Sequence, residues 1–417
     1  MKICFFANIN SITSRNWIMY FLSEEKRKEY EVHIISPYPL QDSRKDGVEL
    51  DGANIHIISL FGQRGRSIQD TISATSGGGN SVDKIIAKLK IVIVQFMGRM
   101  IKIWWSQIRM LTLRKQIAQI LNNINPDVVH ALRLFEEGEM AGLAGWRPLI
   151  ISIWGQDLII SARISPLHGW LARNALRQAD AVTADNKRDL ELAFEWGRQQ
   201  VTPGELFLAS GGIRPEIFYA DQSDDAILQE FDLDPESIVI LSPRGLRPGF
   251  IRLNTLFEAI PKVIKTYSDV KFVQFEIPNY TTASNYGLSS ESEPYVKFIR
   301  RSTQYVLAEL MRRSMLMVSP AFKDGTPNSL FESMACGAVP IVPTISPYPE
   351  WITDGENGFF FDPYDADSLA KAIIRALNNT ELLEQARQIN FDIVDKFASR
   401  NQAMARVEAL YRSMVPA

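Results

Sequence analysis

Two carboxylates and an arginine in the second half of the chain could bind a phosphate-bearing ligand. Asp324 lies in a loop, and Glu332 lies about one turn into a helix predicted from Ser329 to Cys336. A helix N-terminus carries about half a positive charge and free N–H groups, so it attracts anions. Beside that anion both acids can accept hydrogen bonds from hydroxyls. One acid would bind hydroxyls of a sugar, and the other would bind hydroxyls of a ribose. Arg244 can reach a diphosphate.

Two predicted strands place this helix at the edge of a sheet. Residues 315–319 form the strand before the loop 321–328, and another strand follows Gly337, which suits the end of the helix. Asn328 or Ser329 suits its N-cap. Ligands of open parallel sheets bind outside the carboxyl ends of strands, so the loop and the first helical turn should contact the ligand. Besides the two acids, these contacts are Gly325, Thr326, Pro327, Asn328 and Ser329.

Short β-branched runs followed by helical patterns recur in both halves of the chain. This alternation is typical of parallel strands joined by crossover helices. The predicted strands are 3–7, 32–36, 55–60, 127–130, 149–154 and 181–184 in the first half, and 238–242, 271–275, 315–319, 339–342 and 358–361 in the second. The predicted fold class is α/β, with two doubly wound parallel sheets that face each other across a cleft.

The length of 417 residues exceeds what one hydrophobic core usually supports, so we expect two domains. The pattern is interrupted near Gly211 and Gly212. The predicted N-terminal domain is therefore 1–212 and the C-terminal domain 213–395. Residues 396–417 are expected to form a helix that packs back toward the N-terminal domain.

The composition excludes several classes of protein. Apolar residues make up 46% and charged residues 22%, which argues against disorder. The formal net charge of −3 gives no reason to expect a nucleic-acid partner, because the basic residues are concentrated in one segment. Cys4 and Cys336 lie far apart in apolar runs, which predicts buried reduced thiols and a cytoplasmic protein.

The stretch SPAFKDGTPNSLFESMACGAVPIV, followed by PEWITDGENGFFFDP, resembles the donor-site signature of the retaining family 4 glycosyltransferases of the GT-B fold. That family typically has two glutamates spaced E-x7-E, and the corresponding pair here is Asp324 and Glu332. The resemblance implies that the first acid contacts hydroxyls of the donor sugar and the second contacts the ribose. It also makes Asp324 a candidate catalytic residue.

Other segments resemble the family in the same order. SPRGLRPGFIRLNTLFEAI resembles the phosphate-binding segment of the family, which has an arginine and a following lysine. Arg244 matches the arginine, Arg252 is the candidate substitute for the lysine, and Arg247 is a further reserve. VKFIRRS resembles the strand and turn whose backbone contacts the nucleotide base, which places Phe298 at the donor site. SGGIRPEIF resembles the interdomain segment, with Arg214 in place of the usual aspartate.

Three residues are candidates for the acceptor side of the cleft. DVVHALRLF and ISIWGQD resemble the acceptor-side motifs, which places His130 and Asp157 at strand ends and makes His130 a candidate catalytic residue. Asn10 lies in the segment 8–14, which replaces a glycine-rich loop of the family. From the residues alone, His130 is equally a satisfied histidine at a strand end, and Asp157 is alternatively a helix cap.

The resemblance implies transfer of a sugar, with retention, from a nucleoside-diphosphate sugar to a hydroxyl of a glycan or lipid-linked acceptor. We expect no cofactor and no metal, because Asp365 and Asp367 precede a helical pattern and suit capping rather than metal binding. Two other hypotheses stay open. One is a sugar-nucleotide 2-epimerase, which needs no acceptor, and the other is a catalytically silent sugar-nucleotide-binding or scaffold protein.

From Lys84 to Lys115 there are eight lysines or arginines and no acid, interleaved with aromatic residues. One interpretation is a helix that lies on an anionic membrane at the inner face of the plasma membrane, where it would meet a lipid-linked acceptor of cell-surface polysaccharide synthesis. The other is a core-packed helix with a basic exposed stripe.

Overall fold

The structure of the chain, a computed structural model, describes residues 1–39, 50–60, 106–197, 205–300 and 302–415. Most of the basic segment from Lys84 to Lys115 lies outside these ranges. Its described part, 106–115, belongs to a helix in which Arg109, Arg114 and Lys115 are exposed.

The N-terminal half of the chain builds a seven-stranded sheet in the order β3-β2-β1-β4-β5-β6-β7, and every recorded pairing in it is parallel. Its strands are β1 (Lys2–Phe6), β2 (Glu31–Ser36), β3 (Asn54–Ile57), β4 (Val128–Ala131), β5 (Leu149–Ile153), β6 (Ala181–Ala184) and β7 (Glu205–Leu206). Its helices are α1 (Ile12–Phe21), α2 (106–124), α3 (Glu139–Ala144), α4 (Pro166–Gln178) and α5 (Lys187–Trp196).

The C-terminal half builds a second parallel sheet of six strands in the order β10-β9-β8-β11-β12-β13. Its strands are β8 (Ile238–Ser242), β9 (Val270–Phe275), β10 (Val296–Ile299), β11 (Leu316–Val318), β12 (Val339–Pro343) and β13 (Phe359–Phe361). The helices are α6 (Asp225–Glu230), α7 (Leu253–Ile264), α8 (Tyr280–Ser284), α9 (Gln304–Arg313), α10 (Asn328–Ala335), α11 (Ala366–Leu377), α12 (Thr380–Ile393) and α13 (Arg400–Met414).

The central strands of each sheet are buried on both faces, which explains why they are continuously apolar rather than alternating, whereas the edge strand β3 is largely exposed. In β1, Ile3 and Phe5 pack into one hydrophobic cluster, while Cys4 and Phe6 pack into another on the opposite face. Cys4 and Cys336 are both buried free thiols, as the sequence predicted.

The last helix returns to the N-terminal sheet. Tyr411 of α13 is fully buried in the same cluster as Phe5 and Trp17. On the same helix, Glu408 accepts hydrogen bonds from the hydroxyls of Tyr20 and Tyr30, at 2.5 Å and 2.7 Å. The chain therefore crosses twice between the two halves, once before α6 and once before α13.

The predicted fold class is confirmed, with two parallel-sheet α/β units in succession. Asp365 is the N-cap of α11 and accepts a hydrogen bond from the backbone of Asp367, as expected. The short strand β7 was not predicted, because two residues carry no periodic pattern. A membrane-spanning helix needs about 20 apolar residues, and no helix among the described residues combines that length with sufficient hydropathy.

Candidate active site

A cavity of about 620 Å³ lies between the two sheets, lined by residues from both halves of the chain. From the N-terminal half, the loops after β1, β4, β5 and β6 contribute Asn10, Arg133, Trp154 and Asp185. From the C-terminal half, the lining includes the residues predicted for the donor: Arg244, Asp324, Gly325, Thr326, Pro327, Asn328, Ser329 and Glu332. The structure thus brings together, at one place, residues up to 88 positions apart that the sequence assigned to one ligand.

The helix α10 begins at the cavity without a side-chain cap. Pro327 occupies the cap position and Asn328 is the first helical residue, so the expected capping by Asn328 or Ser329 is wrong. Proline has no side-chain oxygen that could cap the helix, so the N–H groups of Asn328 and Ser329 remain available to another acceptor, whereas that of Leu330 donates to Pro327 O at 3.1 Å. The side-chain oxygen of Asn328 is also buried without a hydrogen-bond partner among the described residues. Gly337 ends the helix with a φ of +89°, as predicted.

Asp324 and Arg244 form an ion pair beside the N-terminus of this helix. Arg244 Nη1 donates to Asp324 Oδ2 at 2.8 Å, and Gly325 N donates to Asp324 Oδ1 at 3.1 Å. Burial opposes the charge of Arg244, but neighbouring groups, Asp324 foremost, more than offset it, so the pKa of the guanidinium is raised. An arginine has five N–H donors, so Arg244 can hold Asp324 and a phosphate oxygen at once.

Glu332 lies one turn further along α10, half-buried at the cavity. Burial raises the pKa of its carboxyl to about 7, and the positive charges of Arg214 and Arg244 limit the rise. Near neutral pH this side chain therefore exchanges between an acceptor-only carboxylate and a neutral acid that also donates. Both forms can bind a sugar hydroxyl.

The second arginine of the C-terminal half that lines the cavity is Arg247 rather than Arg252. Arg252 precedes α7, and its guanidinium lies 4.9 Å from the ring centroid of Tyr364 and donates to Thr255. Arg247 lines the cavity, with its guanidinium 5.1 Å from the ring centroid of Phe250. Of these two candidates, the structure brings only Arg247 to the described lining of the cavity.

Phe298 and His130 lie away from the described lining of the cavity. Phe298, on β10, packs against the core of the C-terminal sheet. His130 is 1% exposed, and its two ring nitrogens bind Tyr411 Oη at 2.6 Å and Ser152 Oγ at 2.8 Å. Burial lowers the pKa of His130 to about 3, so its ring is neutral. The contacts favour the alternative reading of His130, a satisfied core histidine.

Asp157, a candidate for the acceptor side, lies behind the N-terminal wall of the cavity and holds two of its loops together. Its carboxylate accepts from Arg133 Nε at 2.9 Å and from the backbone of Leu134 and Trp154, at 3.1 Å and 3.2 Å. It therefore joins the loops after β4 and β5 and fixes Arg133 and Trp154, which line the cavity. Asn10, the third acceptor-side candidate, lines the cavity directly and donates to Pro39 O at 2.9 Å.

Sequence reasoning missed Asp185 and Arg188. Asp185 directly follows β6 and lines the cavity, so the strand-end rule applied to the predicted strand 181–184 would have found it. Burial and the neighbouring Asp189 raise the pKa of Asp185 well above its ordinary value. Arg188 carried no local signal, because its contacts with Asp324 and Ser346 are with the other half of the chain. Within the described chain, no group of three or more metal-ligating side chains is assembled.

Two parallel sheets with a cavity at their facing edges hold an acid–arginine pair at a helix N-terminus. The family comparisons identify a chain of this architecture as a glycosyltransferase. Residues 224–391 match glycosyl transferases group 1, and residues 80–186 match the glycosyl transferase 4-like family. Each match covers less than half of the chain, and both are to glycosyltransferases.

Individual relatives are distant in sequence but similar in fold. The chain is 22% identical, over 310 residues, to N-acetyl-alpha-D-glucosaminyl L-malate synthase of Bacillus anthracis, covering 72% of this chain and 78% of that protein. The structure of HepE from Anabaena, in complex with UDP, superposes with a TM-score of 0.71 at 14% identity, covering 99% and 100% of the two chains. Sucrose-phosphate synthase from Thermosynechococcus elongatus gives 0.67 at 12% identity, covering 99% and 98%.

Proposed function

We propose that this glycosyltransferase moves a sugar, with retention and without a metal, from a nucleoside-diphosphate sugar to a hydroxyl of a glycan or lipid-linked acceptor. The observation that carries the proposal is the Asp324–Arg244 ion pair beside the uncapped N-terminus of α10, open to the interdomain cavity. The UDP bound to HepE, which has the same fold, supports UDP as a donor nucleotide to test first.

The charges at the cavity suit the departure of a diphosphate. As the bond from the anomeric carbon to the phosphate oxygen breaks, negative charge grows on that oxygen. The N–H groups at the start of α10, Arg244 and Arg247 can stabilise it. These are fixed positive groups, so the proposal needs no metal ion.

Retention follows in this proposal from attack on the face that the diphosphate leaves. The acceptor oxygen bonds to the anomeric carbon, and its proton passes to the departing phosphate oxygen. Asp324 would accept hydrogen bonds from hydroxyls of the donor sugar, and Glu332 would accept them from hydroxyls of the ribose. Closure of the two domains would exclude water and so limit hydrolysis of the donor.

A matched pair of arginine variants tests the donor assignment. Binding of UDP is measured by calorimetry for the unmodified protein, Arg247→Ala and Arg252→Ala. A hydrogen bond to a charged group contributes about 1.5–3 kcal/mol, so Arg247→Ala should weaken UDP binding about tenfold or more. Arg252→Ala should bind as the unmodified protein does. Equal effects, or a larger one at Arg252, would contradict the assignment.

Product analysis separates transfer from the two other hypotheses. Mass spectrometry follows a panel of sugar nucleotides incubated with and without lipid extracts. Consumption that requires an acceptor supports transfer, whereas a new sugar nucleotide formed from UDP-N-acetylglucosamine alone supports epimerisation. Binding without turnover across the panel supports a silent binding protein.

We also propose that the enzyme acts in cell-surface polysaccharide synthesis at the inner face of the plasma membrane. The support is the basic segment from Lys84 to Lys115, whose described residues Arg109, Arg114 and Lys115 are exposed. Ile108 and Leu111, on the same helix, are also exposed, at 47% and 37%. A basic surface with apolar side chains suits an anionic bilayer.

A further inference from the structure

Arg188 contacts both halves of the chain at the point where they meet. It is the second residue of α5, in the N-terminal domain. Its Nη1 donates to the backbone oxygens of Asp324 and Ser346, at 3.4 Å and 3.0 Å, both in the C-terminal domain. Its Nη2 donates to Gly155 O at 3.1 Å in its own domain. One guanidinium therefore joins the two domains through three carbonyl groups.

The neighbouring Asp189 holds the guanidinium of Arg188 in one orientation. Arg188 Nε and Nη2 donate to the two carboxylate oxygens of Asp189, at 2.9 Å and 3.1 Å. Asp189 is 1% exposed and also accepts from Asn186 Nδ2 at 2.9 Å. Such a two-pronged contact fits the planar fork of arginine and cannot be reproduced by lysine.

A second interdomain contact lies beside the first, and in it a side chain of the C-terminal domain binds the backbone of the N-terminal domain. Glu350, in the C-terminal domain, accepts from the backbone N–H of Lys187 at 2.8 Å and from that of Arg188 at 3.4 Å. These are the free N–H groups at the start of the ten-residue helix α5, where a negative charge is stabilised by the helix dipole.

The two domains are in direct backbone contact at the same place. A Cβ built on Gly155 would lie 2.1 Å from the Cα of Gly325, and one built on Gly325 would lie 2.6 Å from the Cα of Gly155. Only glycine at both positions permits this approach. The structure is therefore that of a closed enzyme, with the donor loop pressed against the loop after β5.

We propose that Arg188 is a positioning residue that makes the geometry of Asp324 depend on domain closure, with Glu350 as its counterpart. The peptide between Asp324 and Gly325 is held twice. Arg188 donates to its carbonyl oxygen, and its N–H donates to the carboxylate of Asp324 itself, at 3.1 Å. Opening the cleft removes the first contact and leaves the acid oriented by its own domain alone. The inference rests on the proposed role of Asp324 toward the donor.

This arrangement completes the donor site only when the acceptor-side domain is in place. Donor can bind to the C-terminal domain of an open enzyme, but Asp324 reaches its final position on closure. Coupling of this kind delays reaction until water is excluded. It predicts that loss of Arg188 impairs turnover more than nucleotide binding.

Small-angle X-ray scattering of the full chain, without nucleotide and with UDP, tests the closure contacts independently of activity. The variants are Arg188→Ala, Glu350→Gln and Gly155→Ala, in which the added methyl group blocks the closed contact. Arg177→Ala, at an exposed position on α4, is the control. All three cleft variants should have a larger radius of gyration than the unmodified protein, and the control should not. An increase in Gly155→Ala alone would overturn the role of Arg188, and no increase in any variant would overturn the closed contact itself.

Steady-state kinetics and UDP binding test the positioning role. Arg188→Ala and Arg188→Lys should lower kcat about tenfold or more, as expected for a misplaced catalytic group. Their Kd for UDP should stay within about twofold of that of the unmodified protein. An unchanged kcat, or a loss confined to the Kd, would contradict the proposal. If the unmodified chain transfers no sugar, the proposed function fails, while the scattering result still decides whether these contacts hold the cleft closed.

Discussion

Glu332→Gln should stabilise the protein at alkaline pH, although it should weaken donor binding. Burial raises the pKa of Glu332 from its ordinary value of 4.5 to about 7. The folded chain therefore binds this proton more tightly than the unfolded chain does. The stability contributed by the neutral acid is fully present below about pH 4.5 and is lost as the pH rises through about 7.

The size of the effect follows from the two pKa values. One pKa unit corresponds to about 1.4 kcal/mol. Above pH 8, where Glu332 is ionised in the folded state, the free energy of unfolding is therefore about 3 kcal/mol lower than it would be with a neutral side chain there. Glutamine has nearly the same shape and does not ionise. The variant should thus gain up to about 3 kcal/mol at pH 8.5 but less than about 1 kcal/mol at pH 5.

Urea unfolding, followed by circular dichroism between pH 5 and pH 8.5, measures this difference. Glu356→Gln is the matched control, because Glu356 is exposed. The midpoint of Glu332→Gln should rise above that of the unmodified protein with increasing pH, while that of the control stays with it. A pH-independent difference, or a variant less stable at pH 8.5, would refute the reasoning about Glu332.

Three further results are expected. Tyr411→Phe removes the hydroxyl that contacts His130, so it should lower the unfolding free energy by about 1 kcal/mol with an unchanged transfer rate; a large loss of rate would restore His130 as a catalytic candidate. Transfer should continue at an unchanged rate in excess EDTA, and its abolition with recovery on adding Mg²⁺ or Mn²⁺ would contradict metal-independent chemistry. Replacing Arg109, Arg114 and Lys115 by glutamate should reduce co-sedimentation with anionic liposomes at least tenfold, since each cation contributes about 1 kcal/mol at such a surface; unchanged binding would remove these residues from the membrane contact.

The fold could be predicted from the sequence because parallel strands are short and continuously apolar. Runs such as 238–242 and 339–342 match the observed strands β8 and β12 to within one residue. Glycines and capping residues mark the helix ends, as Gly337 and Asp365 show. These signals are local, so a single sequence is sufficient to read them.

The grouping of the candidate donor residues at one cavity was predictable for the same reason, because their loop and helix are continuous in the chain. The choice between Arg247 and Arg252 was not, because it depends on which way the backbone turns before α7. Arg252 lies at the start of that helix, and its side chain stacks on Tyr364, 112 residues further along.

The acceptor side was harder to predict because its contacts are remote in sequence. His130 is enclosed by Tyr411, 281 residues away, on a helix whose return to the N-terminal sheet decides the matter. Arg188 and Glu350 are 162 residues apart, and nothing near either one indicates the other. Contacts of this range follow from the tertiary structure and not from periodicity or spacing.

A crystal structure of the enzyme with UDP tests the central claim most directly. The account predicts that the diphosphate lies within hydrogen-bonding distance of the N–H groups of Asn328 and Ser329 and of the guanidinium of Arg244, with the ribose beside Glu332. A diphosphate bound elsewhere, with the N-terminus of α10 facing only solvent, would contradict it.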